Sequence, residues 1–127
     1  MKYKDCINFG HLTITELGYL ISTVDLVIGC EAGLTHFAGI LGVPMMVLVG
    51  SSSSLVLRHY KNVRVLHKGS CESCNRFIVP TVVGDRCGGL DKDPHSKCLT
   101  EITVKEVIQE FKQFRGLYLK KRYSTNV

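Results

Sequence analysis

Hydrophobic and polar positions change period several times along the chain. Cys6-Ile7-Asn8-Phe9 is short and apolar and breaks at Gly10, which predicts a first strand. Leu17, Leu20, Ile21 and Val24 then recur at helical spacing, with Thr13 or Thr15 placed to cap the helix. Asp25 leads into Leu26-Val27-Ile28-Gly29, a continuous apolar run suited to a strand covered on both faces. The polar turn CEAGLTH follows, and Thr35 to Leu41 predicts a second helix ending at Gly42, where Pro44 forbids its continuation. Met45 to Val49 reads as a buried strand closed by Gly50 and the serine tract Ser51–Ser54, and Val63 to His67 as a further strand.

A strand–helix–strand–helix–strand series with short connections predicts an α/β fold, a Rossmann-like parallel sheet with flanking helices. In such sheets ligands bind beyond the carboxyl ends of the strands. Both polar loops, CEAGLTH and GSSSS, follow strand carboxyl ends and are expected on one edge of the sheet. Residues 71–100 change character: four of the six cysteines fall there, among glycines, prolines and charges, with little periodicity. Residues 103–119 return to an amphipathic helix, with Val104, Val107, Ile108, Phe111 and Phe114 on one face. Thr103 and Glu106 form its capping box. One domain over 1–127 is expected: a Rossmann-like part to residue 70, a cysteine knuckle over 71–100, a helix over 101–119 and a basic tail over 120–127.

Composition narrows the class. Of 127 residues, 45% are hydrophobic and 21% charged, enough apolar surface to bury a core, so disorder is excluded over most of the length. The formal charge of +5 is local, with Lys112, Arg115, Lys120, Lys121 and Arg122 near the end. Such a run reads as a solvated helix face and tail before a nucleic-acid surface. The start turns polar too early for a signal peptide, and the longest apolar stretch, FAGILGVPMMVLVG, is too short and broken for a membrane span. A cytoplasmic location is the resulting expectation.

In that compartment six cysteines point to metal or thiols before disulfides. Cys71 and Cys74 form a CxxC turn, followed by Cys87 after twelve residues and Cys98 after ten more. Four thiolates can close a tetrahedral shell around one iron or zinc ion. His95 is an alternative ligand, and four separate, partly exposed thiols are the competing reading. Cys6 in a strand and Cys30 at a strand end are expected to be packed small residues.

If CEAGLTH ends a strand and begins a helix, the amides of Gly33 to Phe37 face outward with the positive end of the helix dipole, which suits phosphate or diphosphate. Gly33 would let a ligand approach the backbone closely. His36 could hydrogen-bond a phosphate or ribose oxygen, and the Glu31 carboxylate could accept from sugar hydroxyls. Equally, Gly33 could serve only a tight turn and His36 could be a capped or half-buried structural histidine. The loop alone leaves both readings open. There is no GxGxxG and no GxxxxGK[ST] cradle.

The order of these pieces resembles the C-terminal half of glycosyltransferase family 9, the heptosyltransferases. The matching pieces are Thr15-Glu16-Leu17, Val24-Asp25-Leu26-Val27-Ile28, the turn Glu31 to Ala38 against a D-[S/T]-G-x-x-H-x-A pattern, Leu41-Gly42-Val43-Pro44, and Gly50. Cys98-Leu99-Thr100-Glu101-Ile102 resembles the phrase that precedes the family's final helix. The full set Cys71, Cys74, Cys87 and Cys98 is most similar to the autotransporter heptosyltransferases, whose cysteines hold iron. The resemblance implies a two-lobed enzyme of GT-B type whose C-terminal lobe binds a nucleotide-diphosphate sugar, usually ADP-heptose, and it makes residues 1–70 the nucleotide-sugar-binding part of a partial domain. It implies amides from Gly33, Leu34 and Thr35, sugar contacts from Glu31, a phosphate contact from His36, and Gly50 and Ser51 in the same donor-binding set. Glu31 stands where the family has aspartate, a longer arm, and Ala32 replaces a hydroxyl residue, losing one hydrogen bond.

The resemblance also implies an N-terminal lobe carrying the acceptor site and general base, and neither is found in these residues. The chain alone is therefore expected to have no catalytic residue and no turnover, unless that lobe is supplied in trans. Homo-oligomers are a further expectation, from an unpaired sheet edge. Two other classes stand beside this one. A metal-stabilised interaction or oligomerisation module would show metal dependence without nucleotide affinity. A thiol redox protein built on Cys71 and Cys74 fits less well, because that CxxC does not open a helix after a strand.

Overall fold

The computed structural model describes residues 6–50, 54–68 and 97–123. The first helix, α1 (Ile14–Thr23), starts where local chemistry tells it to. The Thr13 hydroxyl accepts from the Glu16 amide, and the Glu16 carboxylate accepts from the Thr13 amide at 2.8 Å and hydroxyl at 2.6 Å. Those bonds, the hydroxyl first, hold the Glu16 carboxyl below its ordinary range. Val24 turns extended and ends the helix.

Strand β1 (Val27–Cys30), helix α2 (Gly33–Ile40) and strand β2 (Met45–Leu48) follow, then a 3-10 turn at Ser54–Leu57 and strand β3 (Val63–Leu66). The three strands form one sheet in the order β1-β2-β3, all parallel, with Val27 opposite Met45 and Met45 opposite Val63. Gly42, at φ 72°, makes the left-handed exit from α2, a conformation that costs glycine little. After the long undescribed stretch come a short helix, α3 (Lys97–Thr100), and α4 (Val104–Tyr123), whose start repeats the capping box with Thr103 and Glu106.

Side-chain alternation on β2 divides the interior. Met45, Val47 and Val49 join Ile21, Ala38, Val43 and Leu57 on the α1/α2 side. Met46 points the other way, to Leu66 and Phe114, with Val107 and Phe111 of α4 packed around them. Strand β2 is thus buried on both faces, as its unbroken apolar run requires.

Four expectations are corrected. Cys6–Phe9 is not a strand: it is exposed, and it ends in a local turn where the Asn8 side chain takes the Gly10 amide at 2.8 Å and Leu12 donates to Phe9 at 3.2 Å. Strand β1 is covered on one face only, with Ile28 48% exposed, whereas the apolar side chains of α4 pack against Met46 of β2 and Leu66 of β3. Helix α4 buries Val107, Phe111 and Phe114, whereas Val104 and Ile108 face outward and the helix runs past residue 119. A sheet accepts a narrower stripe than the periodicity offered. Cys6 and Cys30 are also exposed rather than packed. Among the described residues, no helix is long and apolar enough to cross a membrane.

Two ion pairs, Arg64 with Glu110 and Lys68 with Glu106, link β3 and its exit to α4. The bond from Lys68, reinforced by the Thr103 backbone and hydroxyl, lowers the Glu106 carboxyl to about 2 from 4.5. A depressed carboxyl contributes stability above its unfolded value and loses it as pH falls through the folded one. The stability gap between the native chain and Glu106→Gln should therefore shrink as pH drops from 4.5 toward 2. Urea midpoints across that window measure it, and a constant gap would contradict it.

Candidate functional site: the turn after the first strand

Beyond Cys30 the chain stays tied to the sheet for one more residue, because the Glu31 amide donates to the Leu48 carbonyl at 3.1 Å. Ala32 is extended (φ −165°, ψ 173°) and has no oxygen to cap α2. Thr35 supplies one from inside the first turn. Its hydroxyl oxygen accepts the Ala32 amide at 3.1 Å and donates to the Ala32 carbonyl at 2.7 Å. Thr35 is 2% exposed, and its own amide donates to Ala32 as well, so it braces the turn from within.

The His36 amide also donates to Ala32, which leaves the amides of Gly33 and Leu34 without a hydrogen bond among the described residues. Both residues are exposed. Gly33 has no positive φ, and a Cβ built on it would have nothing within 4 Å.

The His36 imidazole has a partner at each nitrogen. Nε2 lies 2.8 Å from Glu31 Oε1, and Nδ1 lies 3.0 Å from the Tyr60 hydroxyl. His36 and Glu31 are 31% and 23% exposed, so the pair is half open to solvent. A carboxylate only accepts, so Nε2 carries a proton and donates to it. Tyr60 was not legible as a site residue. Its ring crosses His36 at 5.8 Å between centroids, tilted by 59°. It also rests on Gly39, where a Cβ would stand 2.6 Å from the ring. The one sequence signal was a glycine three positions after a histidine, which clears a flat spot on the same helix face.

The turn and Gly50 both lie at the carboxyl end of the sheet, as expected. Gly50 itself is buried, however, and a Cβ there would meet Leu99 at 2.9 Å, so its smallness serves the packing of α3 onto β2. Ser51 lies outside the described residues. So do Cys71, Cys74, Cys87 and His95; Cys98 is 2% exposed, near Gly50. Among the described residues, no three His, Cys, Asp or Glu side chains are placed to hold a metal ion. A separate cleft of about 310 Å³ between β3 and α4, lined by Arg64, Leu66, Ile102, Glu106 and Glu110, contains none of the turn residues.

The family model of glycosyltransferase family 9 (heptosyltransferase) matches residues 3–76, a span that holds α1, the turn and all three strands. The chain belongs to glycosyltransferase family 9. The matched span includes the turn at the carboxyl end of the sheet. The family 9 match includes Cys71 and Cys74 and stops before Cys87 and Cys98. Neither the curated proteins nor the solved structures contain a match to this chain.

Proposed function

We propose that this chain is the donor-binding half of a two-lobed, GT-B-type sugar transferase, and that the Glu31–His36 turn receives the diphosphate of ADP-heptose. Gly33 carries the argument. The turn needs no glycine there, neither for its backbone conformation nor for room inside the fold. What a missing side chain does provide is close approach of a ligand to the outward amides of Gly33 and Leu34, at the positive end of α2. Glu31 Oε1 occupies the place beside His36 Nε2 that a donor oxygen would take. On binding, the carboxylate turns to sugar hydroxyls and the ring to phosphate.

Calorimetric titration of ADP into the purified chain tests this, with Gly33→Ala and His36→Ala as partners. Gly33→Ala should fold with equal or slightly higher stability, since alanine is the better helix former by about 0.5–1 kcal/mol, yet bind ADP more weakly. His36→Ala should lose about tenfold, the worth of one charge-assisted hydrogen bond. A folded chain giving no heat at millimolar ADP would end the proposal. As the donor-binding half of a two-lobed enzyme, the chain alone is expected to transfer no sugar. Product detected by mass spectrometry and lost in His36→Ala would overturn that.

We further propose that Cys98 with Cys71, Cys74 and Cys87 holds one iron or zinc ion, as in the autotransporter type. An all-thiolate donor set suits either ion, and the burial of Cys98 suits a structural site. One equivalent of metal should copurify and fall away in Cys98→Ser; metal-free, fully folded protein would exclude it.

A further inference from the structure

We infer that Tyr60 is a positioning residue for donor binding: it holds His36 in the tautomer with its proton on Nε2, so that the ring meets an incoming phosphate oxygen as a donor. This rests on the donor-site reading of the turn. The observations are three. The Tyr60 hydroxyl is 3.0 Å from Nδ1, its ring crosses the imidazole, and the ring is seated on Gly39, where no side chain stands between them. A local bond from the Tyr60 amide to the Leu57 carbonyl, at 3.1 Å, fixes where that ring starts.

The tautomer follows from donor and acceptor strengths. A phenol is the better donor and an imidazole nitrogen the better acceptor, so the hydroxyl donates to Nδ1 and the ring proton sits on Nε2. Glu31, 2.8 Å from Nε2, selects the same tautomer from the other side. Once a sugar hydroxyl draws the carboxylate away, Tyr60 alone keeps Nε2 a donor. A neutral ring without that partner would present a lone pair to the phosphate part of the time, and lone pair facing phosphate oxygen is repulsive. Among the described residues, the ionisable groups that contact the ring are Glu31 from the turn and Tyr60 from the segment after the 3-10 turn.

Two experiments separate this claim from the reading beneath it. The first needs no nucleotide: ¹⁵N imidazole spectra of Glu31→Ala, with and without Tyr60→Phe, in the full chain. His36 should show a protonated Nε2 and a bare Nδ1 while Tyr60 is present, and a mixture once its hydroxyl is gone. The phenylalanine keeps the ring on Gly39, so the variant retains its packing. A proton on Nδ1, or spectra that Tyr60→Phe leaves alone, would overturn the inference. The second is ADP titration. Tyr60→Phe should bind about fivefold more weakly. Equal affinity would refute the positioning role. Absence of ADP binding by the native chain would refute the donor reading, and with it any role of Tyr60 in binding, while the spectra would still report the lock on the ring.

Discussion

Met46→Ala should lower stability by about 2–5 kcal/mol, the range for removing a large buried side chain from a packed interior. That is a large share of the roughly 5–15 kcal/mol that holds a small domain together. The position matters as much as the size. Met46 is fully buried, and it is the side chain of β2 that faces Leu66, Phe114 and the α4 stripe. Among the described residues Met46 is the one fully buried member of that cluster, and close-packed neighbours do not refill a space of that size. The ion pairs between β3 and α4 offer little in compensation. Both are open to solvent, and pairs of that kind contribute little. Met46→Leu conserves volume and should cost under about 1.5 kcal/mol. Urea unfolding with an unchanged slope measures both. A loss below about 1 kcal/mol in the alanine variant would mean that α4 does not rest on the sheet through this residue. The ADP affinity of whatever remains folded should be unchanged, because α2, which the turn opens, packs through Ala38 into the other cluster, on the opposite face of the sheet.

What the sequence made legible is what local chemistry decides. The Thr103–Glu106 capping box was readable because it closes within one turn of helix, whereas the first helix offered Thr13 or Thr15 as its cap and the structure settles on Thr13, boxed with Glu16. Strand β2 was readable because an unbroken apolar run has few alternatives between two helical patterns. The failures all need a partner distant in the chain. A short apolar run such as Cys6–Phe9 becomes a strand only beside a sheet edge, and local turn bonds took its backbone instead. Whether β1 is covered on one face or two depends on where α4 packs, which no residue in Val27–Cys30 records. Periodicity offered α4 a stripe of five apolar residues, but the angle at which the helix meets β2 and β3 selects Val107, Phe111 and Phe114. In the site, the turn itself was visible and its state was not. Glu31 and His36 are bonded to each other, and Tyr60, twenty-four positions from His36, completes the arrangement.

Gly39→Ala should destabilise the chain, although helix propensity alone predicts the reverse. Alanine in place of glycine inside a helix ordinarily adds about 0.4–1 kcal/mol. Here the new methyl would stand 2.6–2.8 Å from three carbons of the Tyr60 ring, closer than real contacts allow. The ring cannot slide away cheaply, because its hydroxyl is bonded to His36. Overpacking of this kind costs about 1–3 kcal/mol, so the clash outweighs the propensity and the net change is a loss. The three nearest atoms all belong to the Tyr60 ring, which makes a double-mutant cycle decisive. In a Tyr60→Ala background those three contacts are gone, and Gly39→Ala should then stabilise by about 0.4–1 kcal/mol. The displaced ring has a functional signature as well. Gly39→Ala should give the His36 spectrum and the weakened ADP binding of Tyr60→Phe, without touching either the hydroxyl or the imidazole. If Gly39→Ala stabilises the native chain as it does the Tyr60→Ala chain, the ring does not lie on α2 and His36 loses its second partner. If the sign reverses between the two backgrounds, one bare helix position is what lets a distant tyrosine reach the histidine of the donor turn.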